Sequence, residues 1–381
     1  MRQKRLILAL LFYTHAFMGH AGVISCLAAL VFPKRSQLPA HRIENIPDRV
    51  IEKLDRKLHF LHNSTEKTFI SQSDSFLIPL DKFLGENKTP KGEPRFTIEE
   101  LLGAGGQGAV FHAYDNVEQR EVAIKISETH ENGPAAIELS KRLEKKLRDK
   151  NPLLTIFDYK LSNDWAITTS EWVPDRNYTH FRNVQSPTMT QEGTLFFPYT
   201  PKSVIDNLTI MRNLARALKE IHRNEFLYTD LKAENIAVFG DLQVKLLDLD
   251  SLAPLEEHGG VSVETMPLIT PGHESPEMSN LWEARHKSKD TKEYLAKKVG
   301  FKSDAYSLST VLQEMVNEFK KKNYKDDPFV TSSMDQLQKE VIYPLRERNP
   351  EKRMSIEEAE EKLDSLIASI QKSSKKTEKN P

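Results

Sequence analysis

Asp230, Lys232 and Asn235 share one short stretch, Tyr228-Thr229-Asp230-Leu231-Lys232-Ala233-Glu234-Asn235. Asp230 and Asn235 stand five positions apart across a loop, which lets a carboxylate face a hydroxyl while an amide oxygen faces a metal ion. Lys232, two positions after the aspartate, can reach a phosphate. Downstream, Val244-Lys245-Leu246-Leu247-Asp248-Leu249-Asp250 reads as a strand ending in a carboxylate. Asp248 is therefore a second metal candidate, because Mg²⁺ takes one or two protein oxygens and fills its octahedron with phosphate oxygens and water. Each fragment alone fits a capped turn; the ordered set is far more specific.

Upstream lies Gly103-Ala104-Gly105-Gly106-Gln107-Gly108-Ala109-Val110. Glycines let a backbone approach phosphates closely, since no Cβ intervenes. The same spacing fits a dinucleotide-binding turn, but that reading needs a helix after the third glycine. Ala109–Tyr114 reads as a strand instead, so it fails. Val122-Ala123-Ile124-Lys125 follows on the next strand. A lysine in an apolar strand needs a partner, and with the glycine loop so near, Lys125 reads as a cation over phosphates rather than as a surface lysine. Glu138, on a helix expected over 134–148, is the carboxylate chosen to hold it, with Glu144 as the alternative. Either glutamate also fits a solvated helix face.

The elements around these residues set the fold class. Short strand-like runs come first: Phe96–Leu101, Ala109–Tyr114, Glu121–Ile126, Leu153–Tyr159 and Trp165–Ser170. After Ser203 the chain turns helical, with Ile205, Leu208, Met211, Ala215, Leu218 and Ile221 on one face of a long helix. A strand-rich lobe followed by a larger helical lobe is an α+β arrangement, and pockets favour the cleft between such lobes. The 381 residues carry 54 basic and 55 acidic side chains, a balance that gives no sign of a nucleic-acid partner. With Cys26 the only cysteine, no intrachain disulfide forms.

Residues 1–32 carry Arg2, Lys4 and Arg5 ahead of apolar Leu6–Phe12 and Ala21–Phe32, which reads as a signal peptide, with a signal anchor as the alternative. Membrane attachment is expected only if that segment stays uncleaved. Asn63, Asn87, Asn177 and Asn207 head N-x-S/T triplets that a secretory route would make glycan acceptors. Residues 33–95 read as a polar stalk with one docking helix through Val50, Ile51, Leu54, Leu58 and Leu61. Residues 174–202 form a Pro-, Thr- and Asn-rich insertion, and 367–381 a basic, disordered tail.

Together these motifs resemble the protein kinase superfamily over residues 96–366, as an N-lobe, 96–173, and a C-lobe, 174–366. The resemblance implies a two-lobed fold with the active site in the cleft, and transfer of the γ-phosphoryl of ATP to protein hydroxyls with Mg²⁺, or alternatively Mn²⁺. It assigns the nucleotide to Gly103, Gly105, Gly108, Val110, Ala123 and Lys125, and to the hinge backbone at Glu171 and Val173. It makes Asp230 the catalytic aspartate, with Lys232, Lys125 and Glu138 in support, and Asn235 and Asp248 the metal ligands. Ser275-Pro276-Glu277 stands for A-P-E, Asp304 for the residue bracing the catalytic loop, and Arg353 for the partner of Glu277. Lys232 and Thr270 resemble serine/threonine kinases. H-R-D reads Tyr228-Thr229-Asp230 and D-F-G reads Asp248-Leu249-Asp250, a triplet also similar to that of secreted kinases of the vertebrate lonesome kinase type. These departures leave every catalytic group in place. They also define the alternative, a pseudokinase acting as a nucleotide-binding or scaffolding module.

Overall fold

The computed structural model describes residues 43–63, 72–105, 108–128, 133–162, 164–173, 188–189, 195–196, 201–239, 241–263, 269–321 and 328–377. The N-terminal segment 1–32 lies outside the described residues. So does nearly all of the 174–202 insertion, apart from a short antiparallel pair, β6 (Thr188–Met189) with β7 (Leu195–Phe196), and residues 201–202. No helix among the described residues is long and apolar enough to cross a membrane. The chain divides into two compact units, 1–129 with 158–172, and 130–157 with 173–381.

The first unit is a sheet with two helices on it. Its strands are β1 (Phe96–Gly105), β2 (Gly108–Asp115), β3 (Arg120–Glu128), β4 (Ile156–Leu161) and β5 (Trp165–Glu171), in the order β1-β2-β3-β5-β4. Antiparallel register pairs Val110 with Lys125, and His112 with Ala123, which in turn pairs with Ser170. Directly paired residues share a face, so Val110, Ala123 and Lys125 lie on one side. Phe111, Ile124, Ile126 and Trp165 share the other.

That other face is covered by α1 (Asp48–Asn63) and α2 (Gln72–Glu86), which pack on β1 and β3. Phe83 stacks on Phe96 at 5.7 Å, and Phe76 meets Trp165 edge-on at 5.2 Å. Arg49 donates to the Glu99 carbonyl at 3.2 Å, and Lys160 pairs with Glu86. Buried Asp81 accepts from the backbone N–H groups of Glu44 and Asn45, pinning the chain that enters α1. The expected polar stalk is thus corrected: two helices stand where one was read, and both belong to the folded body. The cause is in the strands. Val122-Ala123-Ile124 is apolar on both faces, so both sides of the sheet need cover. Val50, Leu54 and Leu58 supply it as read, joined by Phe76, Leu77, Leu80, Phe83 and Leu84 of α2, a helix that holds Pro79 inside it.

The second unit is mainly helical: α3 (Gly133–Leu147), α4 (Pro201–His222), α5 (Pro276–Glu283), α6 (Lys289–Ala296), α7 (Phe301–Lys321), α8 (Pro328–Leu337) and α9 (Ile356–Thr377). α9 lies along α4, fixed by Arg212 to Asp364 at 3.2 Å, Arg216 to Glu360 at 2.7 Å, and Lys219 to Glu360. The disordered tail expected from 367 is a second correction. α9 continues to Thr377, and Ile367 and Ile370 are buried. Their spacing of three continues the face set by Leu363 and Leu366, which outweighs the lysine-rich composition that follows.

Candidate active site

Four short strands frame the loop of interest: β8 (Phe226–Tyr228), β9 (Ile236–Val238), β10 (Val244–Leu246) and β11 (Leu252–Pro254). β8 pairs with β11 and β9 with β10, so Thr229–Asn235 and Leu247–Ser251 emerge side by side. The Asn235 carbonyl accepts from Leu247 N–H at 2.9 Å, tying the loop to the strand that ends at Asp248.

Asp230 is buried. One of its carboxylate oxygens accepts from Lys232 Nζ at 2.6 Å, and that ammonium also donates to Thr270 Oγ1 at 2.8 Å. The other, Oδ1, is buried with no hydrogen-bond partner among the described residues. A buried carboxylate oxygen without a donor carries a desolvation cost, which an incoming hydroxyl would relieve. Asn235 donates its amide to the Asp230 carbonyl at 2.9 Å, leaving its oxygen as the metal-type atom. Asp248 caps its own turn, accepting from Asp250 N–H at 3.3 Å and from Ser251 Oγ at 3.0 Å. An amide oxygen and a carboxylate are hard oxygen donors of the kind that fit Mg²⁺. When bound, the cation neutralises charge on transferring phosphates.

Three residues brace this loop from below. Asp304, at the start of α7, is fully buried and accepts from Tyr228 N–H at 2.8 Å, while His222 Nε2 meets the same oxygen at 2.8 Å. Burial pushes the Asp304 carboxyl up, against the pull of His222. Tyr228 is fully buried, and its hydroxyl accepts from Asp248 N–H at 3.2 Å. Thr229 grips the Ser251 carbonyl with its backbone N–H at 2.8 Å and its hydroxyl at 3.1 Å. Tyr228 and Thr229 read in sequence only as departures; here they join the catalytic loop to Asp248. Ser251, a serine of the segment after Asp248, is fully buried. Its position right after Asp248-Leu249-Asp250 was the available signal.

Glu277, N-terminal on α5, accepts from Arg353 at 2.6 and 3.0 Å and from Ser303 Oγ at 2.9 Å. Burial alone would raise this carboxyl, but the guanidinium holds it below the usual range. The segment from Leu252 to Val263 lies against α6, with Val261 donating to the Ala296 carbonyl at 3.3 Å. A Cβ on Gly260 would stand 2.5 Å from that same carbonyl oxygen, so only glycine permits the approach.

The nucleotide candidates sit on the sheet unit. Gly103 pairs with Val110, and Gly105 with Gly108, where β1 turns into β2. A Cβ on Gly108 would lie 2.3 Å from the Ile126 carbonyl oxygen, so a close strand approach fixes this glycine. Val110, Ala123 and half-buried Lys125 share one face. His112, on the same face, stacks on Trp172 at 4.0 Å, and its ring nitrogens meet Glu99 at 3.2 Å and Glu121 at 2.6 Å. Glu171 ends β5, while half-buried Val173 begins the second unit. On α3, Glu138 is exposed, off the face formed by Ala136, Ile137, Leu139, Ser140 and Leu143. Glu144, the alternative, accepts from Asn151 at 2.9 Å and from Thr155 at 2.8 Å, which commits it to the turn after α3.

The family model for the protein kinase domain matches residues 96–377, ending where α9 ends. This chain belongs to the protein kinase family. The kinase is 23% identical over 321 residues to an Arabidopsis thaliana leaf rust 10 disease-resistance locus receptor-like protein kinase, covering 80% of this chain and 42% of that one. It is 24% identical over 253 residues to a probable serine/threonine-protein kinase of Clostridium acetobutylicum, covering 66% and 34%. With the serine/threonine-protein kinase PknB of Mycobacterium tuberculosis it shares 26% over 226 residues, covering 58% and 32%. The kinase thus spans well under half the length of these relatives. Its sheet unit and helical unit are the two lobes of the kinase fold.

Proposed function

We propose that this kinase is active and transfers the γ-phosphoryl of ATP to serine or threonine hydroxyls of proteins in the secretory pathway. The carrying observation is Lys232, which binds Asp230 at 2.6 Å and Thr270 at 2.8 Å beside a buried Asp230 oxygen that has no partner among the described residues. Asp230 then accepts the hydroxyl proton while Lys232 steadies the transferring group. Asn235 and Asp248 would hold Mg²⁺, with Mn²⁺ as the alternative ion. Gly103, Gly105, Gly108, Val110, Ala123 and the backbone of Glu171 and Val173 would hold ATP. Lys125 lies over its phosphates, with Glu138 as the proposed partner. Serine/threonine preference is supported by Asp-Leu-Lys, by Thr270 and by the names of the bacterial relatives.

The deciding experiment incubates the purified full chain with labelled ATP, Mg²⁺ or Mn²⁺, and a generic protein substrate, followed by phosphoamino-acid analysis. Labelled phosphoserine or phosphothreonine is expected. ATP binding without any transfer would establish the pseudokinase reading instead. A secreted or lumenal location is supported by the basic and apolar pattern of residues 1–32, with membrane anchoring through that segment as the alternative.

A further inference from the structure

We propose that Ser251 is a positioning residue for Asp248, setting the direction of the carboxylate that would hold the metal. The inference rests on the kinase reading above and concerns a residue that reading leaves without a task. Ser251 is fully buried, a hydroxyl with no solvent to bind. It donates to Asp248 Oδ2 at 3.0 Å, while Asp250 N–H donates to Oδ1 at 3.3 Å, so both carboxylate oxygens are held by their own turn. The Ser251 backbone is fixed in turn, its carbonyl taking two bonds from Thr229, at 2.8 and 3.1 Å.

Tyr228 completes the arrangement. Its oxygen accepts from Asp248 N–H at 3.2 Å, which holds the backbone from which the carboxylate projects. A carboxylate accepts about four hydrogen bonds, so Asp248 can hold its turn and a cation together. Residues that orient metal ligands typically change affinity by about 10–100-fold when removed.

The test measures Mn²⁺ binding to the full chain with ATP by electron paramagnetic resonance, and ATP binding alone by calorimetry. Ser251→Ala is expected to weaken Mn²⁺ about 10-fold, raise the metal concentration for half-maximal turnover in step, and leave metal-free ATP binding unchanged. Tyr228→Phe, which keeps the ring, should shift Mn²⁺ in the same direction and serves if Ser251→Ala does not fold. Ser251→Thr, which restores the hydroxyl, should recover affinity. Unchanged Mn²⁺ affinity in both Ser251→Ala and Tyr228→Phe, with only a lower melting temperature, would overturn the inference. Wild type that binds no Mn²⁺ with ATP would overturn the kinase reading itself, and this inference with it.

Discussion

One Asp230 carboxylate oxygen is held by Lys232 and the other is buried with no donor among the described residues, and that division sets the first prediction. Asp230→Asn should lower turnover by about 10²–10⁴-fold, the usual worth of a positioned base, with ATP affinity unchanged. Equal loss of both would move Asp230 out of the hydroxyl-facing role. Lys125→Met and Asp248→Asn should each abolish transfer without unfolding the domain; activity falling only in proportion to folded protein would sink those assignments. Glu277 and Arg353 give a stability prediction. Breaking a buried, hydrogen-bonded pair by removing one charge costs about 3–5 kcal/mol. The folded Glu277 carboxyl lies below its unfolded value of 4.5, so its contribution is complete above that value and is lost as pH falls through the lowered one. The melting gap between wild type and Glu277→Gln should hold steady from neutral pH to about 5 and close in stronger acid. A gap that closed on the alkaline side would contradict the ion pair.

At the scale of elements, α1 and α2 are the outer layer of the sheet. Phe96 and Trp165 meet Phe83 and Phe76 directly, and Phe111 and Ile124 share that face. Burying one large apolar side chain contributes about 1.5–3 kcal/mol, so uncovering several removes an amount comparable to a typical stability margin of about 5–15 kcal/mol. A chain begun at residue 90 is therefore expected to be insoluble or unfolded where one begun at residue 34 is folded; a soluble, cooperative unfolding transition in the shorter chain would show the helices to be dispensable. The segment after Asp248 carries a second expectation. Thr229 stands where many kinases place an arginine that a phosphate must neutralise. The segment is instead anchored by Gly260 and Val261 on α6 and by Thr229 on Ser251. Turnover should survive phosphatase treatment and the paired change Ser262→Ala with Thr265→Ala. Loss of most turnover with ATP binding intact would give the phosphate a role.

For the whole molecule, passage across a membrane is the property to measure. Expression in a eukaryotic cell should give glycosidase-sensitive protein, and Asn207→Gln should not alter that shift, because Asn207 is buried in α4. Unglycosylated full-length protein in the cytosol would refute the secretory reading. The sequence by itself determined the order of the kinase motifs: the glycine loop, the strand of Lys125, the loop of Asp230, Lys232 and Asn235, then Asp248. It did so because each motif is local, its spacing fixed by a strand, a turn or a loop within a few residues. It also determined the five strands and α4, whose periodicities are local too. The tertiary structure alone decided that α1 and α2 belong to the core and not to a stalk, since that depends on which face of a distant sheet lacks cover. It decided that Tyr228 and Thr229 are braces, through bonds to Asp248, Ser251 and Asp304, the last 76 positions from Tyr228. It also decided that Ser251 is an interior hydroxyl. Burial is a property of neighbours brought together by packing, and no short stretch of chain contains it.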